Sequence, residues 1–200
     1  LQVTSRSKNG EEPEEFLRIV PATRDIWPDI QALLGERGTV KGCWCMFFRQ
    51  TPAQRRADWG ENNRAALLAL LEAGHRPGLV AYRNDAPAGW CSIGPRAEYS
   101  RLSRSTVTRA VDQAPVWSLV CLYVTPAHRG HGVARALVRA AVADAGSRGA
   151  RMVEAYPVDD TLGPVPVGGA YHGWVSLFAP EGFTEVARYA PARPVMRRPA

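Results

Sequence analysis

Arg129, Gly130, His131 and Gly132 stand between an apolar run closed by Thr125-Pro126 and a segment with apolar residues at Val133, Leu137, Ala141 and Ala145. The four-residue spacing of that stripe predicts a helix, and the run over residues 117–124 predicts a strand. Glycines at such a corner leave successive backbone N–H groups uncovered at the start of the helix, where they can hold phosphate oxygens. A second group of residues could move protons. Residues 150–156 predict another strand, whose alternation puts Met152, Glu154 and Tyr156 on one face. A glutamate buried between Val153 and Ala155 would have its pKa raised toward the range useful to a general base, and a phenol beside it could donate. The same glutamate could equally pair with one of the many arginines.

The run Arg129-x-x-Gly132-x-Ala134 resembles the R/Q-x-x-G-x-G/A turn of the GCN5-related N-acetyltransferases, the GNAT family. The resemblance extends to Leu122-x-Val124-x-Pro126, to the strand at 150–156 and to Phe178-x-x-x-Gly182-Phe183, and spans roughly residues 16–190. It implies a GNAT-like three-layer α/β/α domain with a central mixed, mostly antiparallel sheet. It also implies that Arg129, Gly130, His131, Gly132, Val133 and Ala134 hold the pyrophosphate of acetyl-coenzyme A. Leu122 and Val124 would then pair with its pantetheine arm. In that family an amine attacks the thioester directly, without a protein nucleophile, so a base, an N–H partner for the carbonyl and a proton for the departing thiolate are needed. Glu154 is the favoured base here and Tyr156 its companion, with Asp159 and Asp160 just beyond. The family usually carries tyrosine where this chain has Phe178, so Tyr156, Tyr123, Tyr171 or water must replace that donor. The departure also leaves a second reading, a non-catalytic acyl-coenzyme A sensor.

The 200 residues, 46% hydrophobic and 22% charged, suit one domain over residues 15–200, with a cofactor core at 116–160 and a flexible tail at 1–14. The chain holds no apolar run long enough to cross a bilayer and no signal-peptide pattern, which predicts a cytoplasmic protein with free thiols and no membrane partner. The net charge of +6 is almost all arginine, because Lys8 and Lys41 are the only lysines. Arg96, Arg101, Arg104 and Arg109 cluster around one aromatic, Tyr99, whereas nucleic-acid binding wants several interleaved aromatics or a known module; a solvated loop is expected, and no nucleic-acid partner. Cys43-Trp44-Cys45 would need two further close ligands to hold zinc, and Cys91 and Cys121 lie in apolar runs where cysteine packs as a small hydrophobe. His75, His128 and His172 have no ligand spacing, so no metal is expected. The acceptor, a small-molecule or protein amine, is not written in the sequence, and a homodimer is left open.

Further elements follow from pattern. Strands are expected at 16–20, 79–83, 88–93 and 183–189, the second and third joined by a hairpin at Asn84-Asp85-Ala86-Pro87. Helices are expected at 26–34, capped by Thr23 or Asp25, at 62–73 and at 171–179. Residues 95–115 and 161–169 read as loop, the first with short helix.

Overall fold

Asn84 and Asp85 both adopt left-handed backbone, with φ of 50° and 61°, the two-residue turn that matches strand twist in a tight hairpin. They join β3 (Gly78–Arg83) to β4 (Ala86–Pro95), as the turn residues predict. The computed structural model describes residues 2–4, 16–35, 38, 42–57, 59–163 and 171–200. The hairpin lies within an eight-stranded sheet that also holds β1 (Gln2–Thr4), β2 (Phe16–Pro21), β5 (Trp117–Val124), β6 (Met152–Ala155), β7 (Thr184–Ala190) and β8 (Arg193–Pro199). The strand order is β1-β2-β3-β4-β5-β6-β8-β7, antiparallel throughout except for the β5–β6 pair. A parallel pair needs a long crossover, and helix α4 (Val133–Ser147) supplies it.

Helix α4 covers one face of the sheet. Its Val133, Leu137, Val138, Ala141 and Ala145 pack on Leu79, Cys91, Leu119, Leu122, Val153 and Met196 in one buried cluster. Gly89 makes this approach feasible, since a Cβ there would lie 2.9 Å from Val133 Cγ1 and 3.0 Å from Leu137 Cδ1. The opposite face is covered by α1 (Trp27–Leu34), α3 (Glu61–Glu72) and the segment containing Trp44, which pack Trp27, Ile30, Leu67 and Leu71 against Val80, Tyr82 and Trp90. A smaller cluster on this second face joins Tyr99 and Leu102 to Val120, Tyr156 and Val195. The result is the three-layer α/β/α arrangement with a mixed, mostly antiparallel sheet.

Two irregularities in β5 shape the middle of the sheet. Ser92 pairs with Cys121 but Ile93 pairs with Leu119, so Val120 is an extra residue, a β-bulge. It puts Val120 and Cys121 both on the face away from α4, where Val120 joins the cluster that holds Tyr99 and Tyr156 and Cys121 packs against it. In addition, β5 and β6 pair only from Trp117↔Val153 to Leu119↔Ala155, while β5 continues to Val124. Beyond Leu119 the two strands part.

Several local expectations are corrected. Gln2–Thr4 are not tail but edge strand, paired with Phe16, Leu17 and Arg18; the rest of the expected tail lies outside the described residues. Neither expected cap of the first helix makes a side-chain cap bond: Thr23 precedes a short 3-10 turn at Arg24–Ile26, and α1 follows from it. The helix expected over 171–179 is the single turn α5 (Val175–Phe178), continued by a 3-10 turn at Ala179–Glu181. Helix α2 (Pro52–Ala57) and strand β8 were not signalled by pattern. Of the expected loop at 161–169, residues 164–169 lie outside the described residues.

Candidate active site

The glycine turn stands at the C-terminal end of β5. Gly130 and Gly132 have φ of 80° and 74°, and a Cβ built on either meets nothing within 4 Å. Gly132 is the residue before α4, whose first turn has no side-chain cap and no acidic residue. The N–H groups of that turn, with the positive end of a 15-residue helix behind them, therefore suit an anion. Arg129 reaches back to donate from Nε to the Val124 carbonyl oxygen at 3.2 Å, which leaves its exposed guanidinium beside the turn. Arg83 approaches His131 Nδ1 at 3.1 Å and adds a second cation nearby. The arrangement fits the pyrophosphate of a coenzyme A.

Glu154 and Tyr156 do share a face, and their side chains meet: the Tyr156 hydroxyl donates to Glu154 Oε1 at 2.5 Å. Their surroundings are not a pocket. The Glu154 side chain is 0% exposed, Arg96 Nη1 bonds its Oε1 and Arg197 Nε its Oε2, each at 2.8 Å. Arg197 also grips Asp112 through both terminal nitrogens, at 2.6 and 3.1 Å. Arg96 donates in turn to Tyr156 Oη at 2.5 Å and to the Thr108 carbonyl at 2.6 Å, and Ser118 Oγ lies 2.8 Å from Tyr156 Oη. Two guanidiniums and two carboxylates thus balance one another. The network sews the end of β4, the start of β5, the end of β6, and β8 to the segment carrying Thr108 and Asp112. Burial, and then the charge of Glu154, push the Tyr156 phenol far above its ordinary value. Register places Glu154 opposite Ser118, six residues before Val124, which is roughly 20 Å along an extended strand.

The arginine group read as a loop patch is likewise engaged. Arg96 belongs to the network above, Arg101 lies over the Phe47 ring at 4.1 Å and Arg109 over Tyr189 at 4.2 Å. Asp159 and Asp160, the fallback bases, are held as anions. Asp159 accepts from Thr161 and pairs with Arg188 at 2.7 Å, Asp160 accepts from Ser176, and both lie below the usual carboxylate range. Phe178, at the family's tyrosine position, is fully buried on the α4 side, edge-on to Phe183 at 5.1 Å.

Tyr171, one of the alternative donors, and groups without a catalytic role in the sequence reading lie around the parting of β5 and β6. Tyr171 comes within electrostatic reach of Cys121, Tyr123, Arg129 and Cys43, and burial raises its phenol above the ordinary value. Phe48 packs against the cluster that holds Val120 and Tyr156, and His172 stands edge-on to Phe48 with ring centroids 5.3 Å apart. Trp44 and Cys45 hold successive left-handed conformations, φ 46° and 56°, costing on the order of 1–2 kcal/mol each. Such strain on bulky residues was the available structural signal, and it is invisible in composition.

Cys45 Sγ lies 3.9 Å from Cys121 Sγ, and all four thiols are free. The hydrogen bond with Cys121, and then burial, push the Cys45 thiol well up, so it is a packed thiol rather than a ready ligand. Among the described residues no three His, Cys, Asp or Glu side chains gather at ligand spacing. If the cysteines are packing residues, the purified protein should carry no stoichiometric zinc, and a chelator should leave its melting temperature unchanged. Elemental analysis finding one zinc per chain would reverse this.

Residues 40–163 match the Acetyltransferase (GNAT) family, and the chain belongs to it. No curated protein sequence matches the chain. Solved structures share the fold at low identity. An acetyltransferase of the GNAT family from Listeria monocytogenes 4b F2365 aligns with TM-score 0.56 at 12% identity, over 92% of this chain and 95% of its own. Arylalkylamine N-acetyltransferase 2 from Aedes aegypti gives 0.55 and 13%, over 92% and 98%. The PaiA N-acetyltransferase from Thermoplasma acidophilum, in complex with coenzyme A, gives 0.52 and 12%, over 92% and 99%. Among the described residues no helix is long and apolar enough to cross a membrane.

Proposed function

We propose that this protein transfers an acetyl group from acetyl-coenzyme A to an amine. The observation that carries the reading is the uncapped glycine turn at Gly130 and Gly132, open to an anion, which follows the stretch of β5 that runs on to Val124 after its pairing with β6 ends at Leu119. Acetyl-coenzyme A would supply the thioester that the amine attacks. The turn and Arg129 hold its pyrophosphate. Leu122 and Val124 lie on the part of β5 with no strand beside it on the β6 side among the described residues, so backbone groups there are available to the pantetheine arm. An N–H at or near Val124 then polarises the carbonyl.

The proton inventory favours groups at the opening over the buried pair. Glu154 has both oxygens engaged by arginines, and we assign it and Tyr156 to holding β5 and β6 at their angle. Tyr171 stays protonated at neutral pH and lies within electrostatic reach of Tyr123 and Arg129, which suits it to return a proton to the thiolate as the C–S bond breaks. The attacking amine gives its own proton to water as the C–N bond forms. A sensor that binds acyl-coenzyme A without turnover is the second reading, supported by Phe178, which brings no donor.

Coenzyme A at about a hundred times its dissociation constant should stabilise the fold by roughly 2.7 kcal/mol. For a chain of this size that is a rise in Tm of about 5–10 °C. No rise at millimolar coenzyme A rejects the cofactor site. Amine-dependent release of free coenzyme A separates the enzyme from the sensor, which would release none.

A further inference from the structure

The corner where β8 begins holds a charge without a counter-charge among the described residues. Arg193 is the first residue of β8 and is half-buried, and desolvation alone holds its guanidinium below the ordinary arginine value. Among the described residues its guanidinium makes no ion pair and no hydrogen bond. Asp159, whose N–H bonds the Ala192 carbonyl beside it, is committed to Arg188, and Asp160 to Ser176.

Strand alternation places Arg193 on the face of Val195 and Arg197, opposite α4. Because Met196 pairs with Ala155, the last residue of β6, Arg193 lies beyond the end of that strand, at the side where β5 and β6 part. His172 is its neighbour: burial, then the charge of Arg193, hold the imidazole down to about 3, so it is neutral at physiological pH. The His172 Nδ1 is sealed from water and has no hydrogen-bond partner among the described residues. Its ring leans on Phe48, which packs against the cluster of Tyr99, Leu102, Val120, Tyr156 and Val195. Phe48, His172 and Arg193 therefore form one wall beside that cluster. Both His172 and Arg193 fall outside the stretch that matches the family, residues 40–163.

We propose that Arg193, with His172 beside it, anchors a carboxylate on the acceptor, so that the amine acetylated is that of an amino acid. The guanidinium fork fits a carboxylate bidentately, and its desolvated charge gains most from an anion. The same charge repels a second ammonium, which disfavours simple diamines at this wall. The inference rests on the acetyltransferase reading, since it assigns the acceptor of that reaction.

The test uses full-length protein loaded with coenzyme A, titrated calorimetrically with L-amino acids, each paired with the amine left by its decarboxylation. Acetylated product is followed separately by mass spectrometry with acetyl-coenzyme A. At least one amino acid should bind ten times more tightly than its amine, and Arg193→Gln should weaken that binding by about 10- to 100-fold, the loss of a charged hydrogen-bonded pair. Arg193→Lys should recover part of it and, if the glutamine variant does not fold, carries the test with a severalfold loss. Coenzyme A affinity should be unchanged in both variants. Amines that bind as tightly as the amino acids, a panel in which neither class binds, or unchanged affinity in the variants would each overturn the anchor. A protein that acetylates amines without regard to the carboxylate loses the anchor and keeps the enzyme. One that holds the amino acid and never acetylates it keeps the anchor and loses the enzyme.

Discussion

Glu154→Gln should lower the stability of the fold by about 3–5 kcal/mol while leaving turnover per folded molecule within a few-fold of the parent. The substitution keeps the shape and removes the charge, which leaves Arg96 and Arg197, with side chains only 15% and 10% exposed, facing a neutral amide. Arg197 retains Asp112, whereas among the groups around Arg96 the lost charge was Glu154, with only the neutral Tyr156 hydroxyl and the Thr108 carbonyl left. At 2–4 °C per kcal/mol for a chain of this size, the melting temperature should fall by roughly 6–20 °C. Thermal melts of the two proteins, with turnover assayed well below both transitions, decide the matter. A hundredfold loss of turnover at unchanged melting temperature and cofactor affinity would make Glu154 the general base after all.

Gly132→Glu should reduce coenzyme A affinity by a hundredfold or more with the fold retained. The Cβ itself meets nothing, so there is no clash to unfold the protein, although the left-handed φ of 74° costs a non-glycine residue on the order of 1–2 kcal/mol. The carboxylate would sit at the positive start of α4 and compete for the place of the pyrophosphate. Arg129→Ala should weaken binding less, about tenfold, because the backbone N–H groups of the turn do most of the holding and Arg129 is an exposed cation beside them. Calorimetry with coenzyme A reads both. Normal affinity in both variants would place the phosphates elsewhere on the molecule.

The parts of this protein that were legible in the sequence are those whose physics is local. A strand that ends at Thr125-Pro126, glycines that must take positive φ, and an i, i+4 stripe from Val133 to Ala145 are each set by neighbours in the chain. They led to β5, the turn and α4 within a residue or so. The Asn84-Asp85 hairpin was readable for the same reason. Strand β8 was not, because Pro194, Pro199 and three arginines argue against a buried strand. Its place in the sheet depends on Glu154 and Asp112, which neutralise Arg197 from positions 43 and 85 residues away in the chain.

The sequence alone therefore determined the family, the glycine turn and the meeting of Glu154 with Tyr156 on one strand face, since period-two alternation follows from backbone geometry. Whether that pair faces a substrate or two arginines was beyond it. A carboxylate's role depends on which charges reach it, and Arg96 and Arg197 arrive from β4 and β8 through the sheet order. The same holds for Arg193 and His172. Neither residue has a motif around it, and their chemistry arises because the β7–β8 hairpin and the segment before α5 bring a guanidinium with no partner among the described residues and a neutral imidazole to one corner, where burial desolvates both.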